Sequence, residues 1–401
     1  MKRLDSVDMM RALAIIFMVL CHFPIFLSSP ASGWPGLYFF ANHAVGDFAA
    51  PFFLFLVGMS QVVSSAGQSS GPRTLWRDKA IVRGFSVFIL GFGFSFVMQG
   101  PGAVFEWDIL TLIGFSLIVM RLLTALPDRG FVLLAALAFA AAPPLRGMSG
   151  YLGQWGGEMS GASGLPSAIS GWIADPANEY APVFASGAII KGFFVNGYFP
   201  VFPWIGFVFA GAAAGRRISG HDIKGQSRRL MALGVSLSAA ACAVAAAAPK
   251  IAGADISAGY MTVFSFYPDT PAMAALQLGA ALFCFGLLRR LYDGAGRVSS
   301  VWANYCRRIS RYSLSVYIIH HALMFFPLNA AGWYYGTDYH AGAMTTLSAF
   351  LLSVVLLLLL GFALPLWDRR DARYSFEWLL AAISGRFSGT AKERAVSPAK
   401  A

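Results

Sequence analysis

Apolar residues run through this chain in long unbroken stretches, not in the strict alternation of a strand or the narrow stripe of a surface helix. Ten such stretches approach or reach the about 17–25 residues that cross a hydrocarbon core. They lie at 12–29, 47–66, 81–99, 108–126, 130–146, 198–215, 230–249, 271–288, 312–327 and 343–366. Short segments rich in Gly, Ser, Pro and basic residues separate them. The pattern predicts an all-α polytopic membrane helical bundle of about ten transmembrane helices. Composition agrees: 57% of the 401 residues are apolar and 12% are charged, against about 25% charged in a soluble domain.

A formal net charge of +11 would suit an anionic or nucleic-acid partner, but its placement points elsewhere. With both termini cytoplasmic, every Lys and Arg except Arg146, Lys191 and Lys250 falls in or beside an inner connection, as the positive-inside rule requires. The basic balance therefore reports topology and contact with membrane lipid, and no nucleic acid is implied. The expected location is the cell inner membrane, multi-pass. The opening MKR and its apolar run read as a signal anchor, because cleavage would remove Arg11 and His22. Cys21, Cys242, Cys284 and Cys306 show no metal-ligand spacing and read as unreactive buried thiols. One transmembrane domain is expected over 1–367. The tail, 368–401, is expected to start as an amphipathic helix along the inner surface (DRRDARYSFEWLLAAISGRFSG) and to end disordered (GTAKERAVSPAKA). The longest stretch outside the spans, about 148–197, carries Glu158, Asp175 and Glu179 among aromatics. It fits either a sugar-binding surface or an interfacial re-entrant segment.

Chemistry concentrates where ionisable residues enter the apolar runs, since such residues are costly there and usually functional. Arg11 and His22 are eleven residues apart in the first span, about three turns and roughly 16 Å along one helix face. Asp8 and Arg11 are spaced to pair at the inner end. His43 and Asp47 share a face at the outer end of the second span. In the ninth span His320 and His321 follow Tyr317, and adjacent residues point about 100° apart, so one of the two is expected to face the interior. A desolvated neutral imidazole can act as a general base near pH 7. Neither HxxxH nor HExxH occurs, so no metal is expected. YFPVFPWIGFVFAGAAAGRR reads as a packing motif through Gly206, Gly211 and Gly215.

These segments resemble a known family. RLDSVDMMRALAIIFMVLCH is similar to the opening of the heparan-α-glucosaminide N-acetyltransferase family, a branch of the transmembrane acyltransferase superfamily. DFAAPFFLFLVGMS, FPWIGFVFAGAAAGR and SLSVYIIHH resemble its later motifs in the same order. RYSFEWLL is similar to its closing segment, with Ser375 and Phe376 departing from it. The Arg11–His22 spacing also resembles the R-x10-H hallmark of the acyltransferase-3 branch. The resemblance implies acetyl-CoA or another acyl-CoA as co-substrate on the cytoplasmic side, held by Asp8 and Arg11 with Tyr317 and His320 further in. It implies His22 as catalytic base or transient acyl carrier, Asp47 and His320 lining the same cavity, and His43 as rival for the catalytic role. The acceptor would be a saccharide or lipid-linked glycan on the periplasmic side. The oligomeric state stays open, a homodimer among its options.

A proton-coupled transporter or flippase of an envelope precursor competes, with His22, Asp47, His320 and His321 as its relay. Against it, the sequence shows no internal duplication and no matching pair of broken helices.

Overall fold

A computed structural model describes residues 4–65, 78–100, 103–149, 186–218, 222–251, 264–267, 269–294, 300–335 and 342–387. Most of the outer stretch, with Glu158, Asp175 and Glu179, and the terminal GTAKERAVSPAKA lie outside them. The described residues are helical apart from connections, with one isolated bridge between Phe266 and Asp269.

In chain order the helices are α1 (Asp5–Leu27), α2 (Pro35–Phe39), α3 (Asp47–Ser65), α4 (Lys79–Gln99), α5 (Ile109–Leu122), α6 (Asp128–Ser149) and α7 (Ser186–Lys191). Then follow α8 (Val201–Arg217), α9 (Ile223–Ile251), α10 (Pro271–Leu288), α11 (Val301–Arg311), α12 (Ser313–Tyr335), α13 (Thr346–Asp368) and α14 (Phe376–Phe387). Wider π turns at Phe40–Gly46, Gly192–Asn196 and Arg289–Asp293 extend α2, α7 and α10. Polar residues start several helices by accepting an otherwise orphaned N–H. Asp78 caps α4 at Ala80 N (2.9 Å), Asp108 caps α5 at Leu110 N (2.8 Å), and Thr270 caps α10 at Met273 N (3.3 Å).

Among the described residues eight helices are long and apolar enough to cross a membrane, and a bent pair, Ile189–Asn196 with Val201–Arg217, counts as a ninth when taken as one span. The predicted span at 108–126 is realised as the 14-residue α5, about 21 Å long at 1.5 Å per residue and short of an about 30 Å core. Its start is therefore inset. The connection before it is pinned by backbone bonds from the bent pair: Tyr198 N donates to Glu106 O (2.6 Å) and Phe199 N to Trp107 O (3.0 Å). Irregular backbone at membrane depth survives only when protein satisfies it, and here two irregular stretches satisfy each other. Trp107 has φ +64, an unfavourable value for a bulky residue. It is held there by packing against Phe92, Phe105 and Phe193.

The bundle centre is α8, buried along nearly its whole length, with α3 and α6 packed beside it. Helices in lipid associate through close packing, not through hydrophobic burial from water. At Gly58 of α3 an added Cβ would lie 1.8 Å from Val208 O, and at Gly211 of α8 it would lie 1.8 Å from Phe55 O. Both backbones touch, and the packing motif read from the sequence is in place.

One end of the bundle is tied by ion pairs. Arg307 donates to both Asp5 oxygens (3.0 and 2.9 Å), and Ser6 donates through N (3.0 Å) and Oγ (2.6 Å) to Asp293. Asp368 accepts from Arg308 (2.9 Å), Arg311 (3.0 Å) and the Tyr312 hydroxyl (2.9 Å). The start of α1 and the end of α13 thus share one side. Beyond α13, the helix α14 is joined to the bundle through Glu377, which accepts from Leu314 N (2.7 Å), Ser315 N (3.0 Å) and Ser315 Oγ (2.5 Å).

Candidate active site

A continuous cavity of about 1400 Å³ lies within the bundle. At the tied end it is lined by Arg11, Ser60, Lys79, Arg83, Ser310 and Arg311, and by Glu377, Leu380 and Ser384 of α14. Midway it passes His22, Asp47, Asp108, Tyr317 and His321, and at the far end Tyr38, Asn42, His43, Tyr198 and Tyr267. Helical periodicity explains why Arg11 and His22 both reach it: three turns apart, they project from one face of α1.

Arg11 is held from two other helices, donating to Ser60 Oγ (3.0 Å) and Ser310 Oγ (3.2 Å). Ser310 Oγ in turn donates to Asp8 (2.7 Å), while Arg11 itself lies 3.9 Å from that carboxylate. Asp8 is buried behind the arginine and does not line the cavity. The expected i, i+3 pair exists, but the serine carries its shorter link.

The centre is a triad of imidazoles from two helices. His22 Nδ1 lies 3.0 Å from His320 Nε2. His320 Nδ1 is 3.0 Å from Val316 O, and His321 Nδ1 is 2.9 Å from Tyr317 O. The His321 ring meets that of His22 edge-on at 4.9 Å between centroids and packs against Phe94 at 5.0 Å. Of the adjacent pair, His321 faces the cavity and His320 sits fully buried behind it. This corrects the expectation that His320 lines the chamber: the 100° step between neighbours turns it toward α1. One ligand nitrogen from each of His22, His320 and His321 lies within 4.8 Å of the others. A search for metal spacing along the sequence passes over such a set because its members come from separate helices.

Tyr317 donates to Asp108 Oδ2 (2.6 Å), so the inset start of α5 delivers a carboxylate to the chamber wall. Sequence reading passed over Asp108 because an Asp before an apolar run is equally a helix cap, and here it is both. Glu106 also lines the cavity. On the far side, His43 Nδ1 pairs with Asp47 Oδ2 at 3.1 Å, with the His43 side chain 62% exposed. Asp47 is buried, and its carbonyl accepts from Gln277 Nε2 (2.8 Å). Of the cysteines, Cys21 and Cys306 are buried, Cys284 is intermediate and Cys242 is exposed.

Fold and chamber together define an all-α multi-pass membrane protein built around a cavity with histidines at its middle. The chain belongs to the heparan-alpha-glucosaminide N-acetyltransferase family, whose catalytic-domain model matches residues 3–248. It is thereby a member of a transferase family. No curated protein matches the chain. The matched stretch holds Asp8, Arg11, His22, His43, Asp47 and Asp108 and stops before α12, which carries Tyr317, His320 and His321.

Proposed function

We propose that this protein moves an acyl group, acetyl in the first instance, from cytoplasmic acyl-CoA to an amine or hydroxyl of a saccharide reached from the periplasmic side of the inner membrane. One observation carries the reading: a single cavity contains both the basic end at Arg11, Lys79, Arg83 and Arg311 and the histidine cluster at His22. The distribution of Lys and Arg supports a cytoplasmic basic end. Guanidinium and ammonium groups there suit the donor's phosphates. The narrow pantetheine arm would then thread along α1 toward His22, roughly 16 Å further on.

In the step itself His22 accepts the proton of the acceptor N–H or O–H, and the freed lone pair forms a bond to the thioester carbonyl carbon. The C–S bond breaks, and the CoA thiolate leaves with the proton that His22 returns. Tyr198, Tyr267, Glu106 and Asp108, at the middle and far end of the cavity, offer the ring faces and carboxylates that sugar recognition uses. His22 is preferred over His43 because it is largely buried inside the bundle, whereas His43 is open at the rim.

The test is purified full-length protein with radiolabelled acetyl-CoA and glucosamine as the acceptor probe. Label should pass to the amine, fall by about 10²–10⁴-fold in His22→Ala as for loss of a general base, and persist in His43→Ala. Activity retained in folded His22→Ala and lost in His43→Ala would reverse the assignment. Proton-coupled uptake without label transfer would favour a transporter instead.

A further inference from the structure

His320 touches no part of the cavity, yet it makes the shortest polar contact that His22 has to another side chain. A neutral imidazole carries one N–H and one lone pair, and which nitrogen holds the proton is set by what each one faces. His320 Nδ1 faces the carbonyl of Val316 at 3.0 Å. A carbonyl only accepts, so the proton of His320 is on Nδ1 and its lone pair is on Nε2. The atom 3.0 Å from that lone pair is His22 Nδ1, which must therefore donate. His22 is left with its one lone pair on Nε2, at the opposite edge of a ring that lines the chamber.

We infer that His320 is a positioning residue, which locks His22 in the Nδ1-protonated tautomer and so reserves Nε2 for the proton of the incoming acceptor. The chain of bonds runs from a helix carbonyl through one imidazole to the next, with no carboxylate in it. It fixes orientation and tautomer without placing a counter-charge in the bundle, which a buried carboxylate would do at high cost. Burial at 0% exposure suits this role, since water at His320 Nε2 would compete for the bond. The same reasoning places the His321 proton on Nδ1, against Tyr317 O. A tetrahedral zinc ion with ligands at about 2.0–2.1 Å would hold its nitrogens about 3.4 Å apart. The His22–His320 pair is closer, at hydrogen-bond separation.

The inference rests on the proposed acyl transfer for its purpose, but its geometry can be read without any activity. Full-length protein labelled with 15N-histidine, which has six histidines to assign, should show His22 protonated at Nδ1. In His320→Leu the His22 signal should move to the Nε2-protonated form. In that variant kcat should fall about 10²-fold or more, the scale of a misdirected general base, with the donor KM within about threefold. His320→Gln, whose amide oxygen accepts from His22 Nδ1–H, should recover most of the rate, which a loss of packing alone would not allow.

Wild-type His22 protonated at Nε2 would overturn the inference. So would folded His320→Leu with unchanged tautomer and unchanged kcat, or added Zn²⁺ that binds stoichiometrically and shifts His22, His320 and His321 together. If no donor and acceptor pair reacts at all, the functional proposal fails, while the nitrogen spectrum still decides the tautomer.

Discussion

Arg11 draws on hydroxyls of two other helices, Ser60 and Ser310, and so presents its guanidinium to the cavity in a fixed pose. A hydrogen bond to a charged group contributes about 1.5–3 kcal/mol. Arg11→Ala should therefore raise the donor KM roughly 10–100-fold while changing kcat little; steady-state kinetics with varied acetyl-CoA checks this, and an unchanged KM would remove Arg11 from the donor site. Glu106 belongs to the same chamber. Its side chain lines the cavity beside Asp108 and Tyr198. At this scale the sequence showed which residues are out of place in lipid, and it put Arg11 and His22 on one face by counting turns. It could not pair His22 with His320, which are 298 residues apart in the chain. Nor could it choose His321 over His320 for the chamber, because that choice depends on where α1 stands beside α12.

Elements carry the second set of constraints. The contact between α3 and α8 leaves no room for a side chain at Gly58, whereas a Cβ at Gly93 of α4 would meet nothing within 4 Å. Gly58→Ala should lower the thermal midpoint sharply or abolish folded yield. Gly93→Ala should be neutral or gain up to the about 1 kcal/mol by which Ala exceeds Gly in a helix. Size-exclusion yield and thermal unfolding in detergent measure both; equal effects would refute the close approach. Glu377 of α14 caps the first turn of α12 and lines the cavity at its basic end. Glu377→Ala should cost about 0.5–2 kcal/mol, as other lost caps do, and raise the donor KM as that wall loosens. Ten apolar runs were legible because lipid leaves a helix almost no alternative, and each has a counterpart here. The shortness of α5 and the 48° break before α8 were not. Both depend on two irregular strips of backbone finding each other across the fold, which no local pattern encodes.

For the whole molecule the account makes one claim: the chamber joins donor and acceptor from opposite sides of the bilayer at His22. Family membership supports the proposed acetyl transfer, and the placement of Lys and Arg supports the proposed orientation; the chamber was visible in the sequence only as ionisable residues scattered over three spans. The most direct measurement uses oriented proteoliposomes with glucosamine sealed on the periplasmic side and labelled acetyl-CoA added only on the cytoplasmic side. The account predicts labelled N-acetylglucosamine in the acceptor compartment, none from vesicles carrying His22→Ala, and none when donor and acceptor compartments are exchanged. Product that forms only when donor and acceptor share one compartment, or that forms equally well without His22, would contradict it.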